Sequence, residues 1–254
     1  SGVVAGPGTA LAWSWRYFLS SFARSYRLSR ALFWVGRVTG FVFELFDYVL
    51  RERPGAPAMR EKEYGIWQAH SWAGMAQLVE HIACGLHLLG LQRGEHMVII
   101  GANRPRLYAT MLAAQALGAI PIPLYQDAVG AECIFPVNNA DVRFALVEDQ
   151  EQVDKLIRLR EEAVGVVPDP PLLVDTVVYY DPHGLEQYDE AFLAEFTAVE
   201  DRGRAWAGEH PGWLDEQLAA ASPDDVALIC TTSGTTSRPK LAELSHVNLL
   251  AMAE

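Results

Sequence analysis

Short apolar runs that alternate with segments of helical periodicity are the feature that most constrains how this chain folds. The runs lie at residues 96–101, 119–124, 143–148 and 172–180. Strands that are apolar on both faces are typical of parallel sheets, because the connecting helices cover both faces of such a sheet. The pattern therefore predicts an α/β fold with a mostly parallel sheet that helices cover on both sides.

Segments with helical spacing fill the intervals between these runs. Ser71 is placed to cap a helix whose apolar positions continue up to a stop at Gly90. Further helices are predicted at residues 106–117, near 129–138 and at 150–162. Strands and helices thus follow each other at the spacing that parallel crossovers require.

One uncharged stretch, residues 107–126, is long enough to span a bilayer. Its second half is interrupted by Gly118, Pro121 and Pro123. A buried helix that Gly118 ends, followed by a buried strand, explains the stretch better. We therefore expect no transmembrane helix here.

Residues 181–225 differ from the rest of the chain in being strongly acidic. They hold twelve Asp and Glu side chains against two bases, Arg202 and Arg204, and they are interrupted by glycine and proline. We interpret them as a solvated surface excursion, with helices at residues 189–196 and 211–220.

Charge and cysteine content argue against several classes of protein. The formal net charge of −12 disfavours a protein that binds nucleic-acid phosphates. The three cysteines, Cys84, Cys133 and Cys230, are far apart and odd in number. We therefore expect neither a disulfide framework nor a zinc site, and a reducing compartment is the simplest setting.

The first 40 residues have the opposite charge to the remainder. They contain five arginines and no acid, with eight aromatic side chains between and around the arginines. Two interpretations stay open. The segment is either a basic, aromatic stretch that lies in a membrane interface or a helical extension packed on its own domain.

The segment with the clearest chemistry follows a predicted strand at residues 225–230. Residues 231–240 contain six hydroxyl side chains, Gly234 and Lys240. Gly234 allows a turn that exposes backbone N–H groups to an anion, and the hydroxyls add donors to phosphate oxygens. One hydroxyl is placed to reach a phosphate-bound Mg²⁺, and Lys240 supplies a charge for the terminal phosphates. Since α/β folds bind ligands at the carboxyl ends of strands, we predict a phosphate-binding loop.

Two generic alternatives fail on spacing. A Walker A loop needs glycine before its lysine and Ser or Thr after it, whereas Pro239 and Leu241 flank Lys240. A nucleophile elbow needs glycine two positions before its serine, and Thr231 holds that place before Ser233. A hydroxyl-rich turn without a ligand remains the structural alternative.

Residues 232–240, followed by Ser245 and His246, resemble the phosphate-binding signature of AMP-forming acyl-adenylate synthetases. Ser237 and Leu241 stand where that family usually has glycine. Further stretches resemble bacterial long-chain fatty-acid–CoA ligases in particular, namely residues 59–68, 71–72, 103–105, 111–127 and 148–155. The resemblance runs from about residue 41 to residue 254.

The resemblance implies a reaction in two steps. A fatty-acid carboxylate attacks the α-phosphate of Mg·ATP to give an acyl-adenylate and pyrophosphate, and the CoA thiol then displaces AMP. Carried over residue by residue, the phosphate-binding positions are Thr232, Ser233, Gly234, Thr235, Thr236 and Lys240. Among them, Lys240 and Thr236 would act on the departing pyrophosphate, and Thr235 or Thr236 would reach the Mg²⁺ that accompanies ATP, with no direct protein metal site.

The resemblance also predicts the organisation of the chain. We expect residues 1–40 to form an arginine- and aromatic-rich helical extension, and residues 41–254 to be the front half of the large N-terminal adenylating domain. The family's later motifs and its C-terminal domain are absent, so we expect an incomplete part that is inactive by itself. The expected location is the cytoplasm, with peripheral contact at the inner membrane face through residues 1–40.

Two alternatives accompany the fatty-acid–CoA ligase interpretation. One is a fatty-acyl-AMP ligase that hands its acyl group to a carrier protein instead of CoA. The other is a noncatalytic, membrane-contacting remnant of a nucleotide-binding domain. Substrates or partners under the main interpretation are ATP, a fatty acid and CoA, and no nucleic acid.

Overall fold

The computed structural model describes residues 42–166, 174–232 and 240–251. The predicted helical extension at residues 1–40 lies outside the described residues. The chain divides into two compact units. The first combines residues up to 76 with residues from 220 onward, and the second covers residues 77–219.

The helices and strands of the chain follow in this order. The amino-terminal part contains α1 (Val42–Glu52), β1 (Pro57–Glu63), β2 (Ile66–Ser71) and α2 (Trp72–Leu88). The middle contains β3 (His96–Ile100), α3 (Pro105–Ala116), β4 (Ile120–Leu124), α4 (Gly130–Asn139), β5 (Phe144–Val147) and α5 (Gln150–Val166). The remainder contains β6 (Thr176–Tyr179), β7 (Leu193–Glu195), α6 (Phe196–Glu209), α7 (Trp213–Ala219), β8 (Val226–Thr232), β9 (Lys240–Ser245) and α8 (His246–Ala251).

The second unit is built on a five-stranded parallel sheet in the order β4-β3-β5-β6-β7. Its central strands β3 and β5 are buried along almost their whole length, as their apolar sequences require. All twelve residues of α3 except Arg106 are buried. The predicted α/β fold with a mostly parallel sheet is confirmed.

Glycine ends two of the predicted helices as expected. Gly90 and Gly118 both have positive φ, at +99° and +73°, where a side chain is strained. At the other end of α2, the backbone N–H of Gly74 donates to Ser71 Oγ at 3.1 Å, so Ser71 caps the helix. The sequence signals at Ser71, Gly90 and Gly118 therefore locate the helix ends correctly.

Strand β4 has an unusual sequence for a sheet, because Pro121 and Pro123 alternate with apolar residues. These prolines lie opposite Met97 and Ile99 of β3. The N–H of Ile120 donates to Glu95 O on the side of β3. Since successive residues of a strand point their backbone nitrogens in opposite directions, the nitrogens of Pro121 and Pro123 face away from β3.

The acidic segment is more integrated into the fold than its composition predicted. Residues 193–195 form the parallel strand β7, and α6 begins only at Phe196, so the helix expected at residues 189–196 is wrong. Phe196, Val199 and Gly203 of α6 are buried. The helix expected at residues 211–220 is confirmed as α7.

Two glycines explain how α6 packs so closely on α2. A Cβ on Gly203 would overlap the carbonyl oxygen of His81, and a Cβ on Gly85 would overlap Val199. Only glycine permits this backbone approach. The segment that composition marked as a surface excursion therefore contributes one strand and one closely packed helix.

The first unit has a small core of its own. In one cluster of this unit Val49 and Trp72 are buried, and Phe46, Tyr48, Ala58 and Leu250 pack against them. The rings of Phe46 and Trp72 meet edge to face with centroids 5.7 Å apart. Two antiparallel hairpins belong to this unit, β1–β2 and β8–β9.

Over the described ranges, no helix is long and apolar enough to cross a membrane. The uncharged stretch at residues 107–126 forms most of α3, a turn at Gly118 and strand β4, as its glycine and prolines predicted.

Candidate functional site

Strand β8 leads from the core of its unit toward the predicted phosphate-binding loop. Ala227, Leu228 and Ile229 are buried, whereas Thr231 and Thr232 are half-buried. The strand therefore presents its hydroxyl side chains where it ends. The expected strand at residues 225–230 is confirmed, with its end two residues further on.

The environment of this strand differs from the expectation. We predicted that it belongs to the parallel sheet, but within the described residues β8 pairs with β9 in a separate antiparallel hairpin. Residues 240–245 form β9, a strand that no apolar run had indicated. The loop is thus the connection of a hairpin rather than a crossover of a parallel sheet.

Two of the predicted site residues are brought together by this hairpin. Thr232 is the last residue of β8, Lys240 is the first of β9, and the two lie directly opposite each other in the ladder. Opposite residues in an antiparallel pair have Cα atoms about 5 Å apart. The hairpin therefore places a hydroxyl and an ammonium group side by side at the end where its two strands are connected.

The remaining predicted positions are Ser233, Gly234, Thr235 and Thr236, and they lie outside the described residues. Their flanking residues do constrain where the segment begins and ends. Lys240 is exposed, and no ion pair joins it to a described residue.

The end of β9 passes directly into α8 through a reciprocal cap. The N–H of Asn248 donates to Ser245 Oγ at 3.3 Å, and the N–H of Ser245 donates to Asn248 Oδ1 at 3.1 Å. This is the arrangement of a capping box, with Asn in the usual Glu or Gln position. Ser245 therefore caps α8 where β9 ends.

His246 lies at this junction and is buried, with 2% of its surface exposed. Burial lowers the pKa of its imidazole to about 4, against an opposing effect of the Asp225 carboxylate. Its ring meets that of Phe43 edge to face, with centroids 6.4 Å apart. His246 is therefore neutral at pH 7 and acts as an anchor for the start of α8.

Cys230 is the cysteine nearest the loop. Burial raises the pKa of its thiol to about 11. Because the thiolate is the reactive form, Cys230 is inert at neutral pH. Chemistry at this end of the hairpin depends on hydroxyl and ammonium groups.

The second unit contains the crevice where an α/β fold ordinarily binds ligands. Strand β3 continues to its neighbour β4 on one side, and β5 continues to β6 on the other. The carboxyl ends of β3 and β5 therefore form the topological switch point.

Glu148 lies at this switch point, directly after β5. One carboxylate oxygen accepts a hydrogen bond from the N–H of Ala102 at 2.6 Å, and the other accepts one from Arg104 Nε at 3.3 Å. Only 11% of the Glu148 side chain is exposed. The two loops that diverge at the switch point are thus tied together by one carboxylate.

Tyr180 closes the crevice from the next strand. Burial, together with the negative charge of Glu148, raises the pKa of the Tyr180 hydroxyl well above its usual range. Arg106 donates to the Tyr180 carbonyl at 2.9 Å. A Cβ on Gly101 would overlap the Tyr180 hydroxyl, so no side chain fits there.

This cluster was not identified as a site from the sequence. Its one visible signal is that the apolar runs before residues 101 and 148 each end at a glycine or a carboxylate. Within the described parts of the chain, no three His, Cys, Asp or Glu side chains are grouped as a metal site requires.

Comparison with known proteins gives the family context. A model of the AMP-binding enzyme family matches residues 46–254. The long-chain-fatty-acid–CoA ligase FadD15 of Mycobacterium tuberculosis strain H37Rv is 27% identical over 186 residues, which are 73% of this chain and 28% of that protein. The long-chain-fatty-acid–CoA ligase ACSBG2 of Rattus norvegicus is 25% identical over 206 residues, 81% of this chain and 29% of that protein. The chain thus spans less than a third of these relatives.

Solved structures agree on the fold. The N-terminal domain of FACL13 from Mycobacterium tuberculosis matches with a TM-score of 0.60 at 19% identity, over 81% of this chain and 44% of that one. A fatty acyl-adenylate ligase from L. pneumophila matches with a TM-score of 0.57 at 16% identity, over 82% of this chain and 30% of that one. These likenesses concern the arrangement of the backbone.

Proposed function

The chain belongs to the AMP-binding enzyme family, and from that premise we propose that it supplies the phosphate-binding hairpin of an AMP-forming long-chain fatty-acid–CoA ligase. The observation that carries the proposal is the pairing of Thr232 with an exposed Lys240 at the loop end of β8–β9. The substrate class is that of the long-chain-fatty-acid–CoA ligases to which the chain is similar.

The proposed reaction begins with attack of a carboxylate oxygen on the α-phosphorus of ATP. A new bond forms between that oxygen and phosphorus, the bond to the bridging oxygen of the β-phosphate breaks, and pyrophosphate leaves. The CoA sulfur then attacks the acyl carbon, and AMP leaves with the oxygen that linked it to the acyl group. Charge therefore develops on the pyrophosphate in the first step.

The hairpin is suited to stabilise that charge. Lys240 provides a compact ammonium that binds phosphate oxygens as a point charge. Thr232 brings a hydroxyl donor beside it, and we assign the same task to Ser233, Gly234, Thr235 and Thr236 in the connecting segment. A donor that binds the leaving pyrophosphate more strongly than intact ATP lowers the barrier.

Magnesium enters this proposal as the companion of ATP, where it would neutralise part of the phosphate charge. Hydroxyl oxygens are hard ligands of the kind that Mg²⁺ prefers, and Thr231 and Thr232 bring two of them to the end of β8. We assign contact with the ion to Thr235 or Thr236.

We also propose that residues 1–40 and 41–254 are separate parts with separate tasks. The five arginines and eight aromatic residues of the first part suit the headgroup region of an anionic membrane. Flotation of the chain with anionic vesicles should weaken as salt screens these charges, and it should weaken when residues 1–40 are removed. Binding that is insensitive to that deletion would contradict the assignment.

The test of the proposed function is pyrophosphate–ATP exchange by a protein that contains this chain together with the remainder of its reading frame. Lys240→Ala should slow exchange about a hundredfold, since loss of one stabiliser of developing charge typically costs about 3 kcal/mol. Lys240→Arg should restore only part of the rate, because a planar guanidinium replaces a point charge. Binding of the fatty acid should be unaffected.

Lys62→Ala is the matched control, because Lys62 is an exposed lysine on the other hairpin of the same unit. With fatty acid present and without phospholipid vesicles, it should exchange at the parental rate. Parental exchange by Lys240→Ala would overturn the assignment of the loop. Acyl transfer to a carrier protein but not to CoA, after normal exchange, would instead favour the fatty-acyl-AMP ligase.

A further inference from the structure

The hairpin β1–β2 separates its charged side chains by face. In its antiparallel register, Lys62 lies opposite Trp67, and Arg60 lies opposite Ala69. Opposite residues share a face, and so do residues two apart along one strand. Arg60, Lys62, Trp67 and Ala69 therefore form one face of the hairpin, which we call the cationic face.

The acidic side chains of the hairpin belong to the other face. Glu61 lies opposite Gln68 and Glu63 lies opposite Ile66. Glu61 and His70 are half-buried and contact each other at 3.0 Å between Oε1 and Nε2. The cationic face is the more exposed of the two, since all four of its residues are exposed.

Trp67 is the unusual member of this exposed face. It leaves 65% of its surface accessible, and Tyr64 at the turn leaves 88% accessible with a positive φ of +47°. Exposed aromatic side chains beside cations, without an acid on the same face, are not what a solvated hairpin requires. Such a combination indicates a surface that meets a partner.

The charge of the cationic face also contrasts with that of the chain. The whole chain has a formal net charge of −12, whereas this face carries two positive charges and no negative one. A partner that complements it is negatively charged and accepts an indole ring at its edge. An anionic bilayer has both properties, because tryptophan lies at headgroup level and basic side chains bind lipid phosphates.

We propose that the cationic face of β1–β2 docks on an anionic phospholipid bilayer. Arg60 and Lys62 contact headgroup phosphates, and the Trp67 indole enters the headgroup layer between them. The proposal depends neither on the phosphate-binding hairpin nor on residues 1–40. It adds a second, structurally defined contact with the membrane in a protein for which we propose a lipid substrate.

The experiment measures partitioning of the full chain onto vesicles of phosphatidylcholine with a third of phosphatidylglycerol. Each basic side chain near such a surface contributes about 1 kcal/mol, so Arg60→Gln/Lys62→Gln should lower the partition coefficient about thirtyfold. The matched control is Arg158→Gln/Arg202→Gln, which removes two exposed cations from helices of the other unit. This control should bind within about twofold of the parent if the position of the charges, and not net charge alone, determines binding.

A second readout locates the indole. Vesicles with brominated acyl chains should quench part of the fluorescence of the seven tryptophans, and Trp67→Phe should reduce that part, with the remainder due to the tryptophans of residues 1–40. Circular dichroism of each variant excludes unfolding as the cause of a change. Equal binding by the hairpin variant and the parent, quenching that is unchanged in Trp67→Phe, or no binding at all would each overturn the proposal. A dimer in sedimentation that Trp67→Ser dissociates, without vesicle binding, would assign the face to a second copy instead.

Discussion

The carboxyl end of β5 and the loop end of the β8–β9 hairpin both carry polar residues next to a buried strand. They differ in what those polar groups contact. At β5, the Glu148 carboxylate accepts hydrogen bonds from Ala102 and Arg104 within its own unit. At the hairpin, Lys240 is exposed opposite Thr232 and has no ion pair with the described residues. A polar side chain at the end of a strand therefore stabilises the fold in one case, and in the other we propose that it binds a ligand.

The difference has a simple electrostatic origin. A carboxylate at a switch point meets backbone N–H groups of the adjacent loop, which satisfy it when the loop is close. The Lys240 ammonium has no ion pair with a described residue, and we propose an anionic ligand as its partner. At the switch point of the sheet the Glu148 carboxylate is satisfied from within the fold, whereas we propose that phosphate binds at the β8–β9 hairpin.

Among these variants, removal of the Glu148 carboxylate should destabilise the fold most. Glu148→Ala should lower the free energy of unfolding by about 3 kcal/mol, because the N–H of Ala102 and the Arg104 guanidinium lose a charged acceptor. Urea denaturation followed by circular dichroism measures the loss. Glu186→Ala, at an exposed glutamate of the same unit, should change stability by less than about 0.5 kcal/mol. Equal effects of the two variants would show that the crevice is not held by Glu148.

Crowding the same crevice should have the next largest effect. Gly101→Ala places a methyl group against the Tyr180 hydroxyl and 3.1 Å from Glu148 Cβ, and should cost about 2 kcal/mol. Tyr180→Phe removes the hydroxyl that the methyl group meets. The double variant should therefore recover part of the stability lost in Gly101→Ala. Additive losses in the double variant would contradict this packing.

The stability of the unit that contains the β8–β9 hairpin should depend on pH through His246. The pKa of His246 is about 4 in the folded chain and about 6.5 when exposed, so the unfolded state takes up the proton first as pH falls. Stability should be constant above pH 7 and fall by about 2 kcal/mol between pH 7 and pH 5. In His246→Gln this contribution should vanish. An identical pH profile for the two proteins would show that His246 does not titrate in this way.

Among these variants, removal of the Lys240 ammonium should change the stability of the fold least. Lys240→Ala should change the free energy of unfolding by less than about 0.5 kcal/mol, since an exposed side chain with no described ion pair contributes little to folding. The same substitution should abolish most pyrophosphate exchange in the complete protein. A stability loss as large as that of Glu148→Ala would place Lys240 among the structural residues instead.

Much of the fold was predictable because its signals are local. The apolar runs located β3, β4, β5 and β8, and Gly90 and Gly118 located the ends of helices. The hairpin β1–β2 could not be found in this way, because its charged and exposed residues bury no complete face. Strand β7 was missed because three residues in an acidic segment show no periodicity.

The candidate site was predictable only in its chemistry. Spacing identified the hydroxyls and Lys240, but the antiparallel return of β9, which places Lys240 opposite Thr232, is a tertiary property. Glu148 and Ala102 are 46 residues apart, and no local pattern indicates that a carboxylate there will meet that N–H. Phosphate chemistry leaves a local signature, whereas closure of a crevice depends on which loops the topology brings together.

The two prolines of β4 determine which edge of the five-stranded sheet can accept a further strand. Because the nitrogens of Pro121 and Pro123 face away from β3, the outer edge of β4 lacks two of the N–H donors that a further strand would need. Addition of a foreign strand at that edge is disfavoured, and with it the edge-to-edge stacking from which aggregates form. Edge-to-edge association of this unit, during synthesis or after partial unfolding, should therefore start at β7 and not at β4.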